Sequence, residues 1–319
     1  MKVIVRKALL LLILFPLLNF AGYQYALAHP RYNPYIGQSI LQMDRNADIG
    51  LTSYGRYLQK VLRGDLGEVK GTPIPELLAA PLKSSLILLL GALVVSALGG
   101  VLLGVSAISR RTLRTKPVFA FVSNVVLSMP GFFLGVAIIG IMLYAQLLGL
   151  IQKPPIPISG FGLDAHLILP LLVLASRPMM QVARVTANMM EHELQQDYVR
   201  VAQSKGLGRL QLFWAHAFPN ILPAVALTLG QSSRLLISGL IIVETLFLWP
   251  GLGRLFMYDI GIRTDGRSAF DFFAHPELLA ALAVVFGALL LLTDLLASLL
   301  AVRLDPQQRR PTQQIQAGN

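Results

Sequence analysis

The residues that could carry chemistry are few, and most are badly placed for it. Gly99-Gly100-Val101-Leu102-Leu103-Gly104-Val105-Ser106 comes nearest to the G-x-x-x-x-G-K-[ST] phosphate cradle. Val105 stands where the phosphate-binding lysine is needed, and the run is apolar. His192 lies between Glu191 and Glu193, a spacing that does not bring zinc ligands to one helix face, and none of the five His forms H-E-x-x-H. There is no Cys, hence no disulfide, no thiolate site and no sulfur nucleophile. No G-x-S-x-G occurs. What remains is charge in apolar surroundings: Arg177, Arg234, Asp294 and Glu244. A cation at the centre of a membrane helix costs about 2.5–3.5 kcal/mol on insertion scales, so each must face protein or water. Arg177 and Arg234 therefore either bind an anion or are neutralised by Asp294, Glu244 or a carbonyl. Arg234 follows Gln231 and lies with Ser238 on a polar stripe, which marks it as the better anion-binding candidate.

The elements that hold these charges are membrane spans. Of 319 residues 55% are hydrophobic and only 13% charged, about half the usual share, which excludes both a soluble globule and a disordered chain. About 20 apolar residues cross a bilayer as helix. Six segments qualify: 8–27, 84–108, 118–150, 167–187, 221–248 and 277–302. The third is long enough to tilt or to end in an interfacial segment, and Pro130 is expected to bend it. Lys2, Arg6 and Lys7 before an apolar run, with Ala26-Leu27-Ala28 after it, also fit a signal peptide. The run is long for that and five spans follow, so it is read as a retained helix. Gly100 with Gly104, and Gly131 with Gly135, have the G-x-x-x-G spacing that lets helices pack closely. The chain is thus expected to be all-α and polytopic, with a tail and first span (1–28), an outer loop (29–83), a membrane domain (84–303) and an inner tail (304–319).

With the N-terminus inside, Arg110, Arg111, Arg114 and Lys116 fall in one inner loop, and Arg184, Arg200, Lys205 and Arg209 in the next. Nearly the whole formal charge of +11 then lies on one side, as the positive-inside rule asks. Most outer bases sit in the long loop, where that rule has little force. Topology and anionic lipid account for the basic balance, and nucleic acid is not needed.

The inner segment 191–223 is the most informative. Tyr198, Val201, Ala202 and Lys205 recur at helical spacing, Gly206-Leu207-Gly208 interrupts, and Leu210, Phe213, Trp214 and Ala217 open a second amphipathic stretch that Pro219 and Pro223 end. Two short helices hinged at Gly206 present an apolar face that something must cover. From the residues alone, a docked partner and the inner lipid surface are equal candidates.

Val201-Ala202-Gln203-Ser204-Lys205-Gly206 followed by Ile221-Leu222-Pro223 resembles the EAA loop of ABC importer permeases. Tyr198 to Leu207, with His216 and Asn220, is similar to the pattern of the dipeptide, oligopeptide and nickel branch. So are, in order, Arg63-Gly64-Asp65-Leu66-Gly67, Ser128-Met129-Pro130, Pro157-Ile158-Ser159-Gly160, His166 to Pro170, Glu244 to Gly253, Asp294 and Asp305-Pro306. Val201 departs from the acidic first position, and the polar run 254–276 around Arg263-Thr264-Asp265-Gly266-Arg267 is longer than the family norm. The resemblance implies a type I (MetI-like) permease with both termini cytoplasmic in a bacterial or archaeal inner membrane. It implies a second homologous permease subunit, two cytoplasmic ATPases that use ATP and Mg, and an extracytoplasmic solute-binding protein. This chain itself would hold no cofactor, metal or catalytic residue. Tyr198, Ala202, Lys205, Gly206, Leu207, Leu222 and Pro223 would couple to an ATPase. Gln231, Arg234, Ser238 and Arg177 would line the substrate path, one arginine meeting a peptide carboxylate. Glu244, Pro250, Gly251 and Gly253 would form an outer gate, with structural capping as the alternative for Glu244. The rival readings are an ion-coupled carrier, for which no internal repeat is visible, and a membrane-embedded enzyme.

Three other residues receive expectations. His166 is read as a helix cap, Trp249 as an anchor at the outer interface, and Trp214 as facing lipid or partner. Tyr32, Tyr35, Tyr54 and Tyr57 in the outer loop either dock the binding protein or cover the pore mouth.

Overall fold

A computed structural model describes residues 2–28, 51–69, 71–109, 111–208, 211–260 and 275–304. Tyr32, Tyr35, Leu210, the run around Asp265, and Asp305-Pro306 lie outside them. Ten helices carry the described chain: α1 Lys2–Ala28, α2 Leu51–Leu62, α3 Ile74–Ser106, α4 Pro117–Ser128, α5 Gly131–Leu147, α6 Ile168–Leu194, α7 Asp197–Ser204, α8 Phe218–Leu246, α9 Leu252–Asp259 and α10 Pro276–Leu304. A hairpin of two-residue strands, β1 Glu68–Val69 and β2 Thr72–Pro73, precedes α3. In a bilayer only helices and closed barrels satisfy every backbone group, so the apolar runs have no other option.

Among the described residues, four helices are long and apolar enough to cross a membrane: Ile74–Ser106, Ala165–Leu194, Phe218–Leu246 and Pro276–Leu296. α1 is helical throughout the segment read as the first span. The third span is bent at Pro130, as expected, and sharply. It is two helices, α4 and α5, that meet at 97°. Pro130 is the cause, because the residue before a proline is excluded from the helical region. Met129 accordingly takes φ −83°, ψ 145°, ending α4.

The chain divides into two compact units. The first comprises 1–90, 134–173 and 237–291. In it Ile74, Leu78, Leu252, Leu278 and Leu282 form a buried core. Gly22 of α1 lies against Leu279 and Ala280 of α10, where an added Cβ would meet backbone at 3.0 Å. Tyr23 of α1 stacks on Tyr57 of α2 at 4.8 Å, and Tyr54 donates to Asn19. Burial raises the pKa of both Tyr54 and Tyr57, so both hydroxyls stay protonated, and Asn19 Nδ2 donates to that of Tyr57.

The second unit comprises 91–133, 174–236 and 292–319. Here α3 packs on α6 through its glycines. A Cβ on Gly100 would come within 2.6 Å of Val182, and one on Gly104 within 2.6 Å of Ala183 and Thr186. Ser96 donates to the Ala175 carbonyl along the same seam. The G-x-x-x-G reading holds for this pair. It holds only half for the other: Gly135, in the first unit, is pressed by Leu246 and Val173, while Gly131 at the helix break has open space.

Candidate functional site

The segment between α6 and α8 is built on a buried foundation. Met190 and Leu194 at the end of α6, Val199 and Ala202 of α7, and Leu212, Ala217 and Ile221 beyond it form one core cluster. Helical spacing put Tyr198, Val201, Ala202 and Lys205 on a common face. The structure splits that set. Ala202 points inward at 8% exposure, while Tyr198 at 41% and Val201 at 53% point outward with Lys205. Two adjacent apolar stripes, one packed and one open, were merged in the sequence pattern.

α7 ends at a left-handed glycine. Gly206 has φ +78°, and the Leu207 amide donates back to the Ala202 carbonyl at 3.3 Å. This is the six-to-one bond of a Schellman cap, with Leu207 packed on the cluster below. Nothing lies within 4 Å of where a Cβ would be, so backbone conformation alone demands glycine. Gly64 and Gly149 close α2 and α5 with the same bond, so the geometry at Gly206 is that of a helix cap. The second amphipathic stretch is not a separate helix. Leu212–Ala217 form a π-helical turn that runs directly into α8, with Pro219 just past the junction. Trp214, Phe218 and Leu222 line a cleft of about 480 Å³ opposite Leu98, Val101 and Leu102 of α3. Pro223 lies within α8.

A polar cluster that sequence reasoning missed ties the segment together. Tyr198 donates to Glu193 Oε1 at 2.6 Å, and Asn220 Nδ2 donates to the same oxygen at 2.6 Å and to the Tyr198 hydroxyl at 3.2 Å. One carboxylate thus joins α6, α7 and α8. Its three residues are separated by up to 27 positions, so no local spacing announces it. Burial and the adjacent Glu193 push the Tyr198 pKa up to about 12. The hydroxyl is therefore a donor at any physiological pH.

The membrane charges resolve separately. Arg177 Nη2 donates at 3.1 Å to the Leu127 carbonyl, in the last turn of the broken helix α4, where free carbonyls favour a cation. Arg234 pairs with Asp294 of α10. Its side chain is 59% exposed, and Gln231 and Ser238 lie exposed on the same helix face. The two neutralising partners left open by the sequence, an acid and a carbonyl, are both realised. Ser232, on the opposite face, donates to Gln181 at 2.7 Å.

In the first unit, Glu244 is fully buried. Ser85 donates to its Oε1 at 2.6 Å, and the Gly253 and Arg254 amides donate to its Oε2 at 2.6 and 3.3 Å. α9 begins at Gly251, which has no capping side chain of its own. Glu244 supplies that cap from the end of α8, placing its carboxyl oxygen at the positive end of α9. Gly251 and Gly253 leave room for it: a Cβ on either would strike the carboxylate, and one on Gly253 would also strike Ile241. The Leu252 amide donates to Ser85, so α3, α8 and α9 share one corner behind Pro250. Trp249 departs from its expected interfacial place. It is buried at 0% exposure, donates Nε1 to the Ser84 carbonyl at 3.1 Å and meets Phe161 edge-on at 4.8 Å. Nor is His166 the cap of its helix. Asp164 Oδ1 accepts from the His166 amide at 3.1 Å and also contacts the His166 ring, which holds the Asp164 pKa below the usual carboxylate range. Among the described residues no group of His, Asp and Glu could hold a metal ion.

Residues 84–310 match the family described as binding-protein-dependent transport system inner membrane component. The oligopeptide transport system permease protein AppB of Bacillus subtilis is 30% identical over 261 residues, 80% of this chain and 79% of that protein. The dipeptide transport system permease protein DppB of Lactococcus lactis is 29% identical over 314 residues, 95% of this chain and 97% of that protein. The probable D,D-dipeptide transport system permease protein DdpB of Escherichia coli is 30% identical, covering 79% of this chain and 78% of its own length.

Proposed function

The chain belongs to the family of inner-membrane components of binding-protein-dependent transport systems, and on that premise we propose that it moves peptides or related small solutes inward, driven by ATPases that dock on α7. It is a permease subunit, an integral membrane protein. The relatives named as dipeptide and oligopeptide permeases support the choice of cargo. The observation that carries the docking assignment is the division of α7. Val199 and Ala202 anchor it to the roots of α6 and α8, while Tyr198, Val201 and Lys205 are left exposed. A soluble partner gripping the outward face would move both membrane helices as rigid bodies.

In this reading the segment faces the cytoplasm, as do both termini. Two ATPase subunits use ATP and Mg, a second homologous permease subunit completes the pore, and a solute-binding protein delivers cargo on the far side. Arg234, Gln231, Ser238 and Arg177 belong to the wall of the path, and the Glu244 corner with Pro250, Gly251 and Gly253 to the outer gate.

Gly206→Asp tests the coupling. A side chain in the left-handed region strains the cap and tilts the face that the ATPase meets. Insertion is expected at the normal level with uptake lost. Uptake equal to wild type would refute a coupling role for this turn.

A further inference from the structure

α6 carries a second polar stripe, Arg177, Gln181, Arg184, Asn188 and Glu191, on a helix otherwise long and apolar enough to cross a membrane. Arg177 and Gln181 lie within the apolar stretch, where polar groups are costly and face partners or water, and Arg184, Asn188 and Glu191 continue the stripe at its inner end. Three of the five are spoken for. Arg177 holds the Leu127 carbonyl, Gln181 accepts from Ser232, and Glu191 accepts from the Thr115 amide at 2.9 Å. Among the described residues Arg184 and Asn188 bond to none. Both open into a cavity of about 100 Å³ that Thr115, Phe119, Ser123 and Asn124 of the α4 side complete. Thr115 lies against Glu191 through both its amide and its side chain. Lys116, the nearest other base in sequence, is turned away to the Ser106 carbonyl.

We propose that this cavity binds a carboxylate of the transported solute, with Arg184 as its cation and Asn188 and Asn124 as flanking donors. The proposal rests on the peptide-permease reading. The cavity offers one guanidinium and two carboxamides. The nearby acid, Glu191, is already engaged. The cavity volume of about 100 Å³ is enough for a carboxylate. A guanidinium fork matches the two oxygens of a carboxylate. Arg234, whose charge is taken by Asp294, does not offer this.

The test uses the whole transporter with its binding protein in proteoliposomes. Its probes are one tripeptide with a free C-terminus and the same peptide amidated, each at saturating loaded binding protein. Arg184→Gln is expected to slow uptake of the acid about tenfold, the effect of one charge-assisted hydrogen bond, and the amide less than about twofold. Arg184→Lys should restore most of the acid rate, and Asn188→Ala should fall between. Equal effects on both peptides, or none, overturn the assignment. An acid-specific loss that disappears when phosphatidylglycerol is replaced by phosphatidylcholine assigns the effect to anionic lipid and overturns it too. Wild-type vesicles that import neither peptide overturn the peptide-permease reading beneath it, whereas normal wild-type import with an unaffected Arg184→Gln overturns only the cavity.

Discussion

At the residue scale, two carboxylates do similar work at opposite ends of the long helices. Glu193 gathers Tyr198 and Asn220, and Glu244 gathers Ser85 and two backbone amides. The Glu244 oxygens would otherwise be stranded in the interior, whereas the Glu193 cluster is exposed. Glu244→Ala leaves two amides and a hydroxyl without an acceptor, a cost of about 3 kcal/mol or more. Thermal inactivation of the detergent-solubilised protein should show it, with Glu244→Gln milder. Tyr198→Phe removes a more exposed bond worth about 1 kcal/mol and should lower uptake per ATP hydrolysed severalfold. Because Glu193 serves both partners, adding Asn220→Ala should cost less than the sum of the two single changes. The Tyr198 pKa is raised, so its bond is fully present below the ordinary tyrosine value near 10 and is lost as pH rises through about 12. The Tyr198→Phe deficit should therefore be flat from pH 6 to pH 9, and a deficit that fades within that range would contradict the assignment.

At the scale of elements, sequence hydropathy located four of the six expected spans as long apolar helices and a fifth as a bent pair, because lipid leaves the chain few alternatives. Gly100 and Gly104 were legible as a packing seam from spacing alone. The corner at Met129-Pro130 was legible as a bend and not as a 97° break, since proline marks where a helix is disturbed and packing decides how far. Tryptophan preference misplaced Trp249, whose indole nitrogen finds a carbonyl in the protein interior. The split of α7 into packed and open stripes could not be read either. Both stripes are apolar, and only contact with Met190, Leu212 and Ile221 separates them. Gly104→Leu should abolish the close approach of α3 and α6, since even a Cβ lies within 2.6 Å of backbone. The expected result is protein that is degraded in membranes, and wild-type abundance would show that the seam yields.

At the scale of the whole molecule, the account joins a charge asymmetry to a mechanical segment. Nearly all the excess base was assigned to the side that bears α7, and family membership supplies the transport system to which that side connects. The chain has no cysteine, so single cysteines can report both location and contact without background. Lys60→Cys in α2 and Lys205→Cys after α7 should be labelled by impermeant maleimide from opposite faces of the membrane.

Contact is the sharper question. In intact cells carrying the full transporter, Lys205→Cys should crosslink to a cysteine engineered in the ATPase subunit, with a yield that changes when ATP is trapped or depleted. A Lys205→Cys protein that supports normal uptake yet forms no such adduct, or is labelled only from outside, would contradict the claim that α7 is where the ATPases act on this chain.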